Sequence, residues 1–456
     1  MNRELWQKIQ DFDFDGPDGD YTFTTRLAKE NNWTRHFTHQ ALLEYRKFMY
    51  LAATSNVMVS PSEIVDVVWH QHLIFSQSYN EFCTLLAKNI QHIPSTHSRQ
   101  EHEKFHKAKE STTVQYNAVF GKQPADIWEY QDISGPLHLQ KSRFTTGHVI
   151  IAAIIAVLTL LAPAYYLLKP LYMHIYNPWF IIGYIGLSAA VYTGLARYNN
   201  RKLLQMLPAK ETAGFLHHLT PYELTYAKNQ GLDHVVHGIA NELIVNNVII
   251  INEDNSVTLA ENATPENREQ AQVISVLDEF KWIPYHRLVK LLVNKPVFNS
   301  ISGAMDALQN HVAKSRHFVR LFAINAVVMA VLLLVGYARF FTGISGNRPV
   351  MFIFIVCLGF TVYAGYHFWK LPKLLLKEVL PQLYTDYILT KEDFDNNWQW
   401  VYFAGGTAVL YPAFIPIVRH NPDKAGGGDG GSGGSSCGSS CGSSCGGGCG
   451  GCGGGD

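Results

Sequence analysis

Four stretches of this chain are long, apolar and free of Lys, Arg, Asp and Glu in their interiors: Val149–Leu168, Trp179–Ala196, Leu321–Ala338 and Met351–Trp369. About 20 residues rising 1.5 Å each cross roughly 30 Å of hydrocarbon, so each stretch is long enough for a transmembrane helix. A helix buried in a soluble core can also be apolar all round, but the basic residues that flank all four favour the bilayer. The stretches come in two pairs on either side of a polar segment. That pattern predicts two transmembrane hairpins, 149–196 and 321–369, around a soluble domain. The near-zero mean hydropathy of the whole chain hides this contrast.

Orientation follows from the cations. Lys141 and Arg143 precede the first stretch, Arg197, Arg201 and Lys202 follow the second, Lys314, Arg316 and Arg320 precede the third, and Lys370, Lys373 and Lys377 follow the fourth. The first turn has only Lys169, and the second has Arg339 and Arg348. Basic residues accumulate on the cytoplasmic side. The expectation is therefore a multi-pass inner or plasma membrane protein with its N-terminal part, middle domain and tail in the cytoplasm. Gly186, Ala190 and Gly194, and likewise Cys357, Thr361 and Gly365, recur at four-residue spacing and predict close helix packing within one bundle. The lack of charge inside the stretches argues against a proton- or ion-coupled transporter.

A further apolar segment, Trp400–Val418, contains Gly405, Gly406, Pro412 and Pro416. These breakers suit an interfacial, re-entrant or loosely packed piece better than a regular span. It belongs to an amphipathic C-terminal segment, 370–423.

Residues 1–135 read as a soluble helical domain. The first residues lack a basic region followed by an apolar one, so no cleaved secretory signal is expected. Arg35–Leu51 has apolar residues at helical spacing, and Ser60-Pro61-Ser62-Glu63 forms a capping box with proline in the first turn. Behind it comes VDVVWHQHLIFSQSYNEFC. On a helix Asp66 and His70 share a face, whereas His70 and His72 do not, so His72 is expected to pack inward. With His92 downstream, Asp66, His70, His72 and His92 are the candidate metal ligands, for zinc or iron. Satisfied structural histidines are the competing reading. His102-Glu103-Lys104-Phe105-His106 matches H-E-x-x-H, but its lysine-rich surroundings and missing third ligand point to coincidence. Asp11, Asp13, Asp15 and Gly16 imitate the start of a calcium loop, yet Thr22 stands where a bidentate Glu is required.

The WHxH segment resembles that of glycine-rich-domain-containing proteins. FTTRLAKENNWTRHFTHQALLEYRKFMYLA before it, and QHIPS and TTVQYNAVFGKQPADIW after it, extend the resemblance over about residues 23–130. The resemblance implies a fold but no settled activity.

In the middle segment, 203–318, Thr220-Pro221-Tyr222-Glu223 starts one helix, Gly231 is expected to stop it, and a second helix and a hairpin (Val248–Ile251, Val257–Leu259) follow. Helix, helix, hairpin suggests a winged-helix-like α+β unit. Lys+Arg is 37 and Asp+Glu 37 in the whole chain, so no basic field favours nucleic acid. LTPYELTYAKNQGLDHVVHGIANELIVNNVIII resembles a bacterial membrane-protein family of unknown function whose C-terminus turns Gly/Cys-rich, over roughly residues 145–456.

The tail, 424–456, is rich in Gly, Ser and Cys and cannot bury a core, so disorder is expected. Its cysteines, Cys437, Cys441, Cys445, Cys449 and Cys452, resemble the modified core of thiazole/oxazole microcin precursors. Soft-metal binding, S-acylation and an unmodified tail are the alternatives.

The fold class expected is mainly α. The function expected is a non-enzymatic membrane-anchored interaction or scaffold protein that displays a thiol-rich tail. Its partners would be the lipid bilayer, a cytoplasmic protein or modifying enzyme, and a second copy in a homo-oligomer. One alternative is a membrane-bound metalloenzyme using the WHxH helix. The other is a carrier of a modified Cys/Ser/Gly tail.

Overall fold

The structure is a computed structural model that describes residues 1–16, 19–93, 99–207, 214–261 and 263–419, without the side chains of 99–102. The five tail cysteines lie outside the described residues. The chain is mainly α, and Met1–Arg419 forms one compact unit.

The N-terminal helices are α1 (Arg3–Asp11), α2 (Phe23–Asn31), α3 (Arg35–Thr54), α4 (Glu63–Ile74), α5 (Ser76–Leu85), α6 (Arg99–Phe120) and α7 (Ala125–Trp128). Helix α4 begins two residues later than the capping box suggests. Ser62, not Ser60, is the N-cap and accepts from Val65 N at 3.2 Å. The Ser60 amide instead donates to Thr112 Oγ1 on α6. A buried carboxylate joins three of these helices. Glu44 of α3 accepts from Tyr116 of α6 and Trp128 Nε1 of α7, both at 2.7 Å, and pairs with Lys47.

Four helices are long and apolar enough to cross a membrane: α8 (Thr146–His174), α9 (Asn177–Leu204), α15 (Arg316–Ser345) and α16 (Met351–Lys370). They fit a multi-pass membrane protein. Helix α15 is the central one, with 50% of its apolar window buried against 0% for α8. The two turns lie at one end of the bundle and are tied together. Asn177 Nδ2 donates to Pro349 O, and Arg348 reaches Met173 O. At the other end the entries to α8 and α15 run side by side, with Ser142 N on Lys314 O and Arg316 N on Gln140 O.

Two expectations about the bundle need correction. Gly186 and Gly194 have open space beside them, and Ala190 is exposed, so that stripe does not pack within the chain. In the second stripe Gly365 faces outward, whereas Cys357 is buried and the Thr361 hydroxyl lies 3.0 Å from that of Tyr337 on α15. The close approach is made at Gly336 of α15, where an added Cβ would meet the Tyr184 hydroxyl at 2.6 Å and Cys357 Sγ at 2.9 Å. Arg339, placed in a turn from sequence, lies inside α15 and is buried. Its guanidinium donates to Tyr172 O, Ile175 O and Asn177 Oδ1, closing the carbonyl end of α8, where a cation is favoured.

Between the hairpins lie α10 (Pro221–Asn229), α11 (Leu232–Val245), β1 (Ile249–Ile251), β2 (Ser256–Leu259), α12 (Arg268–Phe280), β3 (Trp282–Pro284), α13 (Tyr285–Leu292) and α14 (Pro296–Ala313). The capping box at Thr220 is present in full. Gln230, in the left-handed region at φ 59°, ends α10, whereas Gly231 serves as the N-cap of α11. The expected hairpin pairs Ile249 with Leu259, and β3 adds an unforeseen third antiparallel strand in the order β1-β2-β3.

The C-terminal segment contains α17 (Leu380–Leu383), α18 (Lys391–Asn396), α19 (Trp398–Gly405) and α20 (Ile415–Arg419). Trp400–Val418 does not form a continuous helix. Tyr402, Phe403, Leu410 and Phe414 are buried in the core shared with the middle segment. Tyr402 donates to His234 O at 2.7 Å, and Tyr411 N donates to Asn241 Oδ1 at 2.6 Å.

Candidate metal centre

Helix α4 sets Asp66 and His70 one turn apart on the same face, with His70 Nε2 3.3 Å from Asp66 Oδ2. His92 arrives from the irregular segment after α5. Its Nε2 lies 2.9 Å from Asp66 Oδ1, and its ring centroid is 4.3 Å from that of His70. One ligand atom from each of the three residues can be chosen so that all lie within 4.8 Å of one another. Among the described residues this is the group of three or more such side chains close enough to share an ion.

Local contacts fix this geometry. Trp69 packs edge-on against the His92 ring, with centroids 4.6 Å apart. Its Nε1 donates to the Tyr79 hydroxyl at 3.1 Å, and that hydroxyl donates to Ile90 O. The tryptophan of the WHxH segment thus anchors the stretch that delivers His92, two residues past Ile90. Nothing in local spacing links His92 to Asp66, which is 26 residues away. The bulky, well-packed Trp69 beside the first histidine is the one sequence signal of an anchored neighbour.

His72 does not belong to the cluster. It is fully buried between Phe14, Phe23 and Phe82, with Nδ1 2.9 Å from the Tyr45 hydroxyl and Nε2 3.2 Å from Ser78 Oγ. Burial pushes its pKa down to about 4, so the ring is neutral and structural. The inward packing expected from helical phase is present, and His72 is removed from the ligand set for the same reason.

The cluster opens onto a cleft of about 810 Å³ floored by Phe48, Trp69 and Ile90. Asp66 and His92 are partly exposed to it, at 33% and 17% of their side-chain surface. His106 lines the same cleft from α6. It pairs with Glu110 along its own helix at 3.4 Å, and Glu103 pairs with Lys107 at 3.1 Å, so neither joins the three-residue group. The His102 side chain lies outside the described residues. Of the carboxylates that imitate a calcium loop, Asp15 accepts from Thr24 N at 2.8 Å and pairs with Arg268, while Asp13 accepts from Asp15 N at 2.9 Å.

Two imidazoles and one carboxylate form a donor set that suits zinc with an open position, or non-haem iron. Tetrahedral zinc with bonds of about 2.0 Å holds its ligands roughly 3.3 Å apart. His92 and His70 approach different oxygens of Asp66, at 2.9 and 3.3 Å, and one ligand atom from each of the three residues lies within 4.8 Å of the others. No protein-family model, curated protein or solved structure matches the chain.

Proposed function

We propose that this protein is a membrane-anchored metal-binding interaction protein. Four helices hold a single cytoplasmic body against the bilayer, and that body carries a divalent transition metal on Asp66, His70 and His92. The observation that carries this reading is the meeting of both imidazoles on one carboxylate at the mouth of a large cleft. The cytoplasmic placement rests on the basic residues at the soluble end of all four spans. The resemblance to glycine-rich-domain-containing proteins, and that of the middle and C-terminal parts to a bacterial membrane family, fit a soluble module fused to a membrane platform. The tail then serves as a thiol-rich segment on the same side.

Inductively coupled plasma mass spectrometry of the purified chain tests the reading, with the tail thiols alkylated so that they cannot contribute. One equivalent of zinc or iron is expected, and less than a tenth of that, roughly, in His70→Ala. Metal content unchanged in His70→Ala overturns it.

A metalloenzyme reading is favoured by one feature: two of the three candidate ligands, Asp66 and His92, line the cleft. Hydrolysis or oxygen chemistry would require a substrate seated between the metal and α6.

A further inference from the structure

A groove of about 950 Å³ opens at the turn end of the bundle, between the first turns of α9 and α16. The two helices meet at both its ends. At the turns, Asn177 Nδ2 donates to Pro349 O at 3.1 Å. Further along, the rings of Tyr184 and Phe360 lie 6.1 Å apart and those of Tyr192 and Tyr363 5.0 Å apart. Ile181 and Ile182 on α9, with Phe352, Ile355 and Val356 on α16, line the space between. Ile182, Phe352 and Ile355 are each more than half exposed. With the four helices in a bilayer, these apolar walls open onto lipid rather than water.

The mouth of the groove is charged. Arg348 lines it at the level of the turns and is exposed. Among the described residues its side chain makes one long hydrogen bond, from Nη2 to Met173 O at 3.3 Å, and no ion pair. The bundle holds no carboxylate to pair with it. Residues 144–210 and 307–377, which include both hairpins and both turns, contain no Asp or Glu. The carbonyl ends of the neighbouring helices are already engaged. Arg339 takes Tyr172 O and Ile175 O of α8, and the Gly346 and Arg348 amides take Thr342 O and Gly343 O of α15. Helices α9 and α16 begin beside the groove without side-chain caps, so their amide ends add to the positive potential there. A cation at the membrane boundary with no counter-ion in its own chain favours an anion from the lipid.

We infer that this groove binds one anionic glycerophospholipid, whose phosphodiester sits on Arg348 and whose acyl chain lies along Ile182, Phe352, Ile355 and Val356. A guanidinium presents a fork of donors that matches two phosphate oxygens. A zwitterionic lipid offers the same phosphate but brings an ammonium, for which the mouth holds no carboxylate. The volume is at the upper end for ligand pockets, enough for the glycerophosphate and the upper part of a chain. The lipid would join the second turn to the start of α9, and so clamp the two hairpins together at their turn end. The inference rests on the membrane reading of the four helices and is independent of the metal centre.

Native mass spectrometry of the full chain tests the inference, after incubation in detergent with phosphatidylglycerol or with phosphatidylcholine of the same acyl chains. One retained phosphatidylglycerol per chain is expected, at roughly fivefold or more the occupancy of phosphatidylcholine. Arg348→Gln should bring phosphatidylglycerol down to the phosphatidylcholine level. Lys202→Gln, an exposed cation at the other end of α9, should leave the preference intact. Ile182→Trp, which fills the groove and keeps the charge, should lower phosphatidylglycerol occupancy. The unfolding midpoint should rise with phosphatidylglycerol but not with glycerol 3-phosphate at the same concentration, since the head alone lacks the chain. Equal retention of the two lipids by the wild type overturns the site. So does a preference that survives Arg348→Gln, or an equal rise with glycerol 3-phosphate. Where Arg348→Gln fails to fold, unchanged phosphatidylglycerol occupancy in Ile182→Trp overturns it. Carbonate extraction tests the anchoring separately, so a chain that stays in the membrane pellet yet shows no lipid preference overturns this site alone.

Discussion

Asp66 Oδ1 and His92 Nε2 lie 2.9 Å apart, although 26 residues and a whole helix separate them in the chain. The contact depends on Trp69, which packs edge-on against His92 and is hydrogen-bonded through Tyr79 to the same segment. Trp69→Phe keeps an aromatic ring and removes the Nε1 donor. It should weaken metal binding by roughly tenfold, the usual cost of losing an outer-shell support, while leaving all three ligands in place. Competition against a fluorescent zinc chelator reads this directly, and unchanged affinity would show that Trp69 only fills space.

Acid should loosen the body through two buried histidines. His72 and His237 are neutral in the fold, each with its pKa pushed down to about 4 by burial from an ordinary value of 6.5. An unfolded chain takes up these protons near pH 6.5 and the folded one does not. The stability they allow is therefore fully present above pH 6.5 and is lost as pH falls toward about 4. The loss approaches roughly 3 kcal/mol per histidine at the acid end. His72→Gln should flatten the fall in unfolding midpoint between pH 6.5 and 4.5. A profile as steep as wild type would assign the acid sensitivity to other groups.

Glu223 satisfies the starts of two helices, α3 and α10, and its contact with Arg35 N spans 188 residues of chain. Glu223→Ala leaves donors on both helices unpaired and should cost roughly 2–4 kcal/mol in denaturant unfolding. Arg35→Gln keeps the backbone donor but takes the cation from the buried Glu269 carboxylate, so a loss of roughly 1–3 kcal/mol is expected.

Glycines in the bundle should separate by neighbour, not by motif. Gly336→Ala pushes a methyl into Tyr184 and Cys357 and should destabilise the detergent-solubilised protein by roughly 1–3 kcal/mol. Gly186→Ala meets open space and should be neutral or slightly stabilising in the monomer. Thermal unfolding of the two variants side by side distinguishes them.

Topology can be read with an impermeant thiol reagent. Asn347 sits in the turn between α15 and α16, so Asn347→Cys should be labelled from outside intact spheroplasts, while the native tail cysteines react only after lysis. Labelling of the tail without lysis would reverse the orientation.

These tests also show how much could be read from the residues alone. The four long apolar helices were legible because hydrocarbon thickness sets the length of a span and disfavours charge within it. The start of α10 was legible because Thr220, Pro221 and Glu223 act within one turn. His72 could be turned inward from helical phase alone. Contacts between distant segments were not legible. The small-residue stripe on α9 has the right spacing but no helix opposite it, and Gly336, at the real contact, belongs to no motif. Arg339 reads as a turn cation until α8 presents its free carbonyls beside it. His92 is an ordinary loop histidine until Trp69 and Tyr79 bring its segment to α4. Trp400–Val418 carries span-like hydropathy because it completes the core shared with the middle segment.

The most direct test is a calorimetric titration of zinc into the metal-stripped full chain with its tail thiols alkylated. One equivalent of zinc should bind to the wild type, with binding lost in His92→Ala and retained in Lys109→Ala, a change in the same cleft outside the ligand set. Absence of stoichiometric binding in the wild type, or binding that survives His92→Ala unchanged, would contradict the metal centre.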